Sequence, residues 1–373
     1  MSKILIFGDI CPTTDTIQAF ESGSGERLMG NVLPLIKDAD YCIANLECVI
    51  TDHPAPVKKC GPILYGSTKC MTTIADAGIQ AVSLANNHIR DCGDEGVQST
   101  IATCNQYHIE TFGAGVDEEM AALPLIVEVR GKKIGFVSFA EREFNYTKSG
   151  QMGAKALDLF EDYDRIHELR KKVDCVIVLF HGGIENHRYP SPLLMKKCHK
   201  FVDSGADVVL VQHSHCVGAY EQYKGSTILY GQGNSIFGYR KGNEAWNESL
   251  LVSVEVEDKV SVKFTALETQ SDGTVCLSHN PEVTMHPFME RSAMVTDIRF
   301  IETEWQKFCN SIEPLYLSML YGHGLQINRL NRLLKNNLVR LLYSKWQLNV
   351  TNNLVRCDAH REVLETLLNK YNY

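Results

Sequence analysis

The sequence contains no run of about 20 apolar residues, the length that a transmembrane helix requires. A strand-like run begins at Lys3, and the two residues before it leave no room for a cleavable signal peptide. These absences predict a chain without a transmembrane segment, and we expect it to be cytoplasmic.

Closely spaced cysteine pairs are also missing, although the chain contains 13 cysteines. They are spread from Cys11 to Cys357, and no two form a CxxC motif. The spacing argues against zinc-finger and thioredoxin-like sites, which need such pairs. In a reducing cytosol, most of these cysteines would act as small buried apolar side chains.

An excess of positive charge is absent as well, since the formal net charge is -8. General nucleic-acid binding requires a basic face that neutralises phosphates, so nucleic acid is not an expected partner. Apolar residues make up 44% and charged residues 22%, which is typical of a globular protein. The length of 373 residues predicts two domains, or one large α/β domain with an appendage.

Strand-like and helical segments alternate over most of the chain, with no internal repeat. A helical segment at 68–77 separates two apolar strand-like runs, which predicts a βαβ crossover and a parallel pair of strands. Residues 123–139 predict a hairpin around Arg130, Gly131 and Lys132, and therefore mixed sheets.

The pattern changes to helix only from about Arg299, so we divide the chain into residues 1–298 and 299–373. Residues 325–348 carry leucines at helical spacing, five basic residues and no acidic residue, which predicts one basic amphipathic helix. We expect its leucines to pack on the larger domain or on a partner chain, with the basic edge facing an acidic surface. Binding to an anionic membrane surface is the alternative.

Four apolar strand-like runs end in residue types that bind metals. Glu47 follows a further run at 41–44, and the polar groups at or near the ends of all these runs are Asp9, Glu47, Asn87, His88, His181, His213 and His215. In α/β sheets, ligands bind beyond the carboxyl ends of the strands, so these groups are expected to meet in one crevice. A single residue of this kind is more often a turn former or a helix cap, but the whole set indicates a binding site.

The chemistry of this set favours a transition-metal centre. Carboxylates, an amide and imidazoles together suit manganese, iron or zinc better than calcium or magnesium. Two such ions about 3.5–4 Å apart need a bridging carboxylate, and such pairs support in-line displacement at phosphorus.

The motifs that carry these residues resemble those of the CapA-like (poly-γ-glutamate capsule biosynthesis) family of the calcineurin-like metallophosphoesterase superfamily. They are Gly8-Asp9, Asn45-Leu46-Glu47, SLANNH at 83–88, HGGIE at 181–185, QHSHC at 212–216 and LYGQGNSIF at 229–237. The resemblance covers roughly residues 1–270. It implies an α/β fold of four layers, in which two stacked mixed β-sheets are flanked by helices, and the C-terminal helices would form an extension.

The resemblance also implies roles for the individual residues. Asp9 and His215 would hold one divalent ion, Asn87, His181 and His213 would hold a second, and Glu47 would bridge them. His88 would lie outside the ligand set and protonate the leaving oxygen. The superfamily usually has a histidine two residues after the first aspartate, whereas this chain has Cys11.

Two functions follow as hypotheses. The first is hydrolysis of a phosphoester or phosphoanhydride, linked to the synthesis of a capsule, surface polysaccharide or polyglutamate. The second is a non-hydrolytic accessory role in assembling such a polymer. An anionic small molecule or polymer precursor is the expected substrate, and Arg90, Glu185, Arg188 and Arg240 are weaker candidates for binding it, since each could equally be a solvated surface residue.

Overall fold

The computed structural model describes all residues except 60, 144, 148–149, 320–323, 357–359, 361–363, 365–367 and 369–373. The strands are β1 (Ser2–Ile10), β2 (Tyr41–Leu46), β3 (Val49–Ile50), β4 (Tyr65–Gly66), β5 (Ala81–Ser83), β6 (Glu110–Phe112), β7 (Ala114–Gly115), β8 (Leu125–Val129), β9 (Lys132–Ala140), β10 (Gly153–Ala154), β11 (Cys175–His181), β12 (Val208–Gln212), β13 (Tyr220–Tyr223), β14 (Ser226–Leu229), β15 (Asn234–Ile236), β16 (Glu248–Val256), β17 (Val260–Thr269) and β18 (Val275–Leu277).

The helices alternate with these strands up to residue 280 and then follow one another. They are α1 (Ile17–Phe20), α2 (Gly25–Met29), α3 (Leu33–Asp38), α4 (Cys70–Asp76), α5 (Gly93–Gln106), α6 (Glu118–Ala121), α7 (Asp162–Arg170), α8 (Pro192–Asp203), α9 (Glu244–Asn247), α10 (Pro281–Val295), α11 (Ile298–Met319), α12 (Gly324–Leu333), α13 (Asn337–Arg340) and α14 (Lys345–Arg356), with a 3₁₀ turn at Gly30–Val32.

The strands form two large mixed sheets, as the hairpin pattern predicted. The first sheet has the order β18-β17-β16-β1-β2-β5-β6, and β15 also pairs with β1. The second has the order β13-β14-β12-β11-β9-β8. In the first sheet β1, β2, β5 and β6 are parallel, and in the second β9, β11, β12 and β14 are parallel. Each sheet therefore has a parallel centre with antiparallel strands at one or both edges.

Three hydrophobic clusters show that the fold has four layers. The middle cluster joins the sheets, since Ile6 of β1 and Ile177 of β11 both belong to it. A second cluster packs the outer face of the first sheet against helices, including Val97 of α5. A third packs the outer face of the second sheet against α7 and α8, through residues such as Phe201. Strands buried on both faces are uniformly apolar, which explains why their sequences lack alternation.

The hairpin between β8 and β9 shows how local sequence shapes an edge of the second sheet. Arg130 and Gly131 both have positive φ angles, 47° and 77°, as a two-residue type I′ turn requires. β8 and β9 are antiparallel, with Val129 opposite Lys132.

The chain divides into two compact units, Met1–Glu302 and Thr303–Tyr373. The sequence-based division at 298/299 stays a proposal for the domain boundary. Within the part of the chain that the structure describes, no helix is both long and apolar enough to cross a membrane.

The prediction of one basic helix over 325–348 is wrong, because this segment forms α12, α13 and the start of α14. Lys335 and Asn336 have φ angles of 52° and 62°, and this left-handed backbone ends the helical path. Leucines of the predicted stripe are exposed, including Leu330 at 50% and Leu341 at 82%.

Candidate functional site

Glu47 occupies the middle of the candidate site, one residue beyond β2. Its side chain is 0% exposed, and neither carboxylate oxygen accepts a hydrogen bond from any residue that the structure describes. His181 Nε2 lies 3.3 Å from Glu47 Oε1, and His88 Nε2 lies 4.0 Å from the same oxygen. A buried carboxylate with unsatisfied lone pairs is costly unless a cation or a donor compensates it.

Two groups of side chains that could each hold a metal ion share Glu47. One comprises Glu47, His181 and His213, and the other comprises Asp9, Glu47 and His215. In each group the ligand atoms lie within 4.8 Å of one another. The arrangement brings together five of the six residues predicted as ligands and gives Glu47 the central position that a bridging carboxylate needs.

Asn87, the sixth predicted ligand, adjoins the first of these groups. Its Oδ1 lies 3.0 Å from His181 Nε2. His213 Nδ1 lies 3.2 Å from the same nitrogen. The side chains of Asn87 and His213 therefore both approach His181 Nε2. That these three residues hold one ion stays a prediction.

Asn45 on β2 orients two of the candidate ligands. Its Nδ2 donates to Asp9 Oδ1 at 2.7 Å and lies 3.2 Å from His181 Nδ1. Asn234 on β15 contacts the ring of His215, with 2.8 Å between Asn234 Oδ1 and His215 Nδ1. Residues that hold metal ligands in one orientation commonly surround metal sites. Here Asn45 and Asn234 contact Nδ1 of His181 and His215, and the Nε2 atoms of both rings make no contact with these two amides.

The segment after β12 has an unusual backbone. His213 and His215 have φ angles of 86° and 53°, so the chain is not extended here. His213 N–H donates to Asp9 Oδ2 at 3.2 Å. The left-handed turns send the two imidazoles to different groups, and such strain in non-glycine residues is typical of functional sites.

Close approach of β15 to β1 fixes the position of Asp9. A Cβ atom at Gly8 would lie 2.3 Å from the carbonyl oxygen of Gly233, so no larger residue fits without moving a strand. Asp9 pairs directly with Asn234 and Asn45 on the neighbouring strands.

Burial dominates the electrostatics of the site. It raises the pKa of Asp9 to about 7, with the Glu47 carboxylate adding to the effect, and it raises the pKa of Glu47 well above its ordinary value. It lowers the pKa of His181, lowers that of His213 well below its ordinary value, and lowers that of His215 to about 3. The imidazoles are therefore neutral at pH 7, which is the state that binds metals.

His88 belongs to a separate buried network beside the two groups. Its Nδ1 lies 2.7 Å from Asp91 Oδ2 and 3.2 Å from Lys59 Nζ, and Lys59 forms an ion pair with Asp91. Burial lowers the pKa of His88, while the hydrogen bond with Asp91 raises it. The network leaves His88 Nε2 on the side of Glu47.

The four predicted substrate-binding residues lie in different environments. Arg90 forms an ion pair with Asp94 at 2.7 Å, and Arg188 forms one with Glu248 at 2.6 Å. Glu185 is exposed, and its charge contributes to the raised pKa of Glu47. Arg240 is also exposed and is close enough for its charge to act on His215.

Lys59 and Glu143 are site residues that the sequence reasoning did not identify. Lys59 lies in the loop between β3 and β4, yet only 4% of its side chain is exposed. Glu143 Oε1 lies 4.0 Å from His213 Nε2, and burial raises the pKa of Glu143. Glu143 follows the buried strand β9, so the strand-end argument applied to β9 as well could have found it.

Cys11 takes the position where the superfamily pattern has histidine, and it belongs to neither group. Its thiol is buried and donates to Pro12 O at 3.4 Å, and burial raises its pKa. Asp9, Glu47 and His215 thus form their group without it.

A third group of possible ligands, Glu268, Cys276 and His279, lies at the β17–β18 edge. Glu268 Oε2 accepts hydrogen bonds from Ser278 Oγ and the His279 N–H, and Glu268 Oε1 contacts the His279 ring. These polar atoms satisfy one another, and 78% of the His279 side chain is exposed. We therefore do not count this group as a metal centre.

The sequence model of the family described as "Bacterial capsule synthesis protein PGA_cap" matches residues 3–239. This chain belongs to that family. The match includes β1 to β15 and every candidate ligand.

Two of the curated relatives of this PGA_cap chain are proteins named CapA. It is 26% identical over 240 residues to "Capsule biosynthesis protein CapA" of Bacillus anthracis, with 61% of this chain and 57% of the relative covered. It is 24% identical over 266 residues to "PGA biosynthesis protein CapA" of Bacillus subtilis, with 69% and 68% covered. The chain thus spans just over half of the first relative's length.

A solved structure with a similar chain path is the 5'-nucleotidase precursor from Thermus thermophilus. The identity is 13%, the TM-score is 0.43, and the alignment covers 78% of this chain and 58% of that chain.

Proposed function

We propose that this PGA_cap protein is a divalent-metal-dependent hydrolase of a phosphoester or phosphoanhydride. The observation that carries the proposal is Glu47, whose two buried oxygens accept no hydrogen bond from the described residues and face candidate ligands on both sides. Buried carboxylates in this condition are either protonated or compensated by a cation. The neutral imidazoles around Glu47 favour the cation.

The donor set fits two ions. Asp9 and His215 would hold one, Asn87, His181 and His213 would hold the other, and Glu47 would contact both. Oxygen and nitrogen donors of this kind suit manganese, iron or zinc. When bound, such ions act as Lewis acids toward phosphoryl oxygens.

The protein's own groups then have distinct tasks. Asn45 holds Asp9 and His181 in position through one amide nitrogen. Asp91 accepts a hydrogen bond from His88 Nδ1, so in the protonated imidazole Nε2 is the atom free to give a proton to a leaving oxygen. Lys59 balances the charge of Asp91 next to this imidazole.

Metal analysis and turnover test the proposal together. Purified protein incubated with Mn²⁺, Fe²⁺ or Zn²⁺ should bind up to two ions per chain, as dinuclear phosphoesterases do. His213→Ala should bind fewer. Manganese-loaded protein should hydrolyse an aryl phosphate, a phosphodiester or pyrophosphate. Wild-type protein that stays metal-free after all three incubations contradicts the proposal.

The alternative is an accessory role in assembling a capsular polymer without hydrolysis. The names of the two relatives favour it, since both refer to biosynthesis. Metal-loaded protein without turnover of any of these substrates would support the accessory role over hydrolysis. Under either alternative, we propose a link to capsule, surface polysaccharide or polyglutamate synthesis.

We also propose a cytoplasmic location. All cysteines that the structure describes carry free thiols, and ten of them are buried. Buried thiols without disulfides are typical of a reducing compartment.

We propose that the basic residues of the segment 325–348 contact an acidic surface of a partner. Arg329, Arg332, Lys335 and Lys345 are exposed beside leucines, and the segment contains no acidic residue. Co-sedimentation with anionic vesicles that is abolished by charge reversal of Arg329, Arg332 and Lys335 would instead assign it to a membrane surface.

A further inference from the structure

Three arginines lie near the sequence motifs, and their partners distinguish them. Arg90 and Arg188 are neutralised by Asp94 and Glu248. Arg240 forms no ion pair with any residue that the structure describes, and the Glu185 carboxylate, the one charge that acts on its pKa, offsets only part of the lowering caused by burial. An arginine that keeps its charge beside a candidate centre is available to bind an anion.

Arg240 is held in place by its own surroundings. Its backbone N–H donates to Asn247 Oδ1 at 2.9 Å, and Asn247 Nδ2 donates back to its carbonyl oxygen at 2.8 Å. The guanidinium carbon lies 3.1 Å from the centre of the Trp246 ring. A guanidinium stacked on an aromatic face keeps its N–H groups pointing outward in its own plane, ready for a bidentate oxyanion.

Trp246 connects this cation to the candidate metal centre. Its ring is 3% exposed, its Nε1 donates to Gly238 O at 3.0 Å, and its centre lies 4.8 Å from that of the His215 ring. The charge of Arg240 contributes to the lowered pKa of His215, after the larger effect of burial. Arg240 thus lies at the edge of the group formed by Asp9, Glu47 and His215.

We propose that Arg240 determines specificity by binding a second oxyanion of the substrate, a carboxylate or a phosphate separate from the reacting phosphoryl group. The inference rests on the proposed hydrolysis of a phosphoester or phosphoanhydride and names a class of substrates for that reaction. The guanidinium accepts either anion through two parallel N–H···O bonds. The preferred substrates therefore carry two anionic groups.

Matched substrates test this assignment. Phenyl phosphate carries one anionic group, whereas 4-carboxyphenyl phosphate and 1,4-phenylene bisphosphate carry two. The wild type should prefer one of the last two, and the better one identifies the anion. Arg240→Gln should raise KM for that substrate by about 10- to 100-fold, the range expected for lost hydrogen bonds to a charged group, with kcat nearly unchanged. KM for phenyl phosphate should stay within about twofold, since that substrate makes no such bonds.

Calorimetry separates this proposal from the proposed function. Metal-loaded protein is titrated with 4-carboxyphenylphosphonate and phenylphosphonate, which are not hydrolysed. Weaker binding of only the carboxylated probe by Arg240→Gln supports the assignment even if no substrate is turned over. Turnover with equal KM values for Arg240→Gln and the wild type overturns the assignment and leaves the hydrolase proposal standing.

Lys241→Ala is the matched control, because it removes an exposed positive charge from the adjacent residue. Its binding of both probes should equal that of the wild type. An equal loss in Lys241→Ala and Arg240→Gln would show a general charge effect and overturn the specific role. A lower unfolding midpoint of Arg240→Gln with unchanged probe binding would show that Arg240 only covers Trp246, which also contradicts the proposal.

Discussion

Glu47 and Glu268 are both surrounded by residue types that bind metals, yet their oxygens are in opposite conditions. Both oxygens of Glu47 are buried without a hydrogen bond, whereas those of Glu268 contact Ser278 and His279. Residue types alone do not distinguish a metal centre from a hydrogen-bonded network. Buried carboxylate oxygens with unsatisfied lone pairs do distinguish a metal centre, because binding a cation lowers their free energy.

Neutralising each carboxylate gives the largest expected difference between the two regions. Glu47→Gln should abolish metal binding, since the amide has one acceptor oxygen and no charge for either ion. Glu268→Gln should keep the wild-type metal content. Mass spectrometry of metal content per chain measures both variants. Equal metal loss in the two variants would remove the distinction.

The histidine next to each carboxylate sharpens the comparison. His88 Nδ1 contacts Asp91 in a buried network, while His279 Nδ1 contacts Glu268 at the surface. His88→Ala should keep its metals and its unfolding midpoint and lower kcat about 10²- to 10⁴-fold, as loss of a general acid does. The loss should be smallest for substrates with a good leaving group.

His279→Ala should keep the wild-type kcat. A metal-loaded and stable His88→Ala variant with wild-type kcat on an alkyl phosphoester would exclude the acid role. Loss of stability without loss of turnover would show that His88 only supports the turn.

The pH dependence of the metal-free protein should reveal Asp9. Burial and Glu47 raise its pKa to about 7, so up to that pH the folded protein keeps a proton that the unfolded chain loses near pH 4. The free energy of unfolding contributed by Asp9 therefore falls as the pH rises from about 4 and is lost above its folded pKa of about 7. Between about pH 5 and 7.5 the buried histidines act in the opposite direction, because the unfolded chain loses their protons near pH 6.5. The wild type and Asp9→Asn share these histidines, so the difference between the two proteins isolates Asp9.

Over this interval we expect the unfolding midpoint of the metal-free wild type to fall relative to that of Asp9→Asn. Although burial raises the pKa of Glu268, hydrogen bonds with His279 and Ser278 bring it below its ordinary value. Glu268→Gln should therefore show the same pH dependence as the wild type over this interval. A wild-type midpoint that rises with pH relative to that of Asp9→Asn would contradict the assignment to Asp9.

The smallest effects are expected from substituting Cys11, beside the Glu47 groups, and Cys276, beside Glu268. Cys11→Ala should keep the metal content and lose about 1 kcal/mol of unfolding free energy, a typical cost for a buried substitution. Cys276→Ala should likewise keep the metal content and lose a similar amount of unfolding free energy. Metal loss in Cys11→Ala alone would show that its thiol replaces the histidine of the superfamily pattern as a ligand.

The strand ends explain how much of the site could be predicted. Asp9, His181 and the residues after β12 follow apolar strands, and the carboxyl ends of parallel strands meet at one edge. The four layers were inferred from a family resemblance and not from periodicity, because strands buried on both faces lack alternation.

Other parts of the site depend on residues far apart in the chain. The pairing of Arg188 with Glu248 and the burial of Lys59 beside Asp91 arise from tertiary packing, which local sequence does not reveal. The left-handed turns of His213 and His215 were missed because neither residue is glycine or asparagine. The break of the basic helix has a local signal, since Asn336 tolerates this conformation.

The hydrogen bond from His213 N–H to Asp9 Oδ2 joins residues 204 positions apart. During synthesis, Asp9 leaves the ribosome long before this partner exists, so the centre cannot be completed on a nascent chain that stops earlier than His213. Because chains of this size fold progressively as they emerge, metal uptake should follow completion of both sheets. Metal content would then report whether a newly made molecule has finished folding.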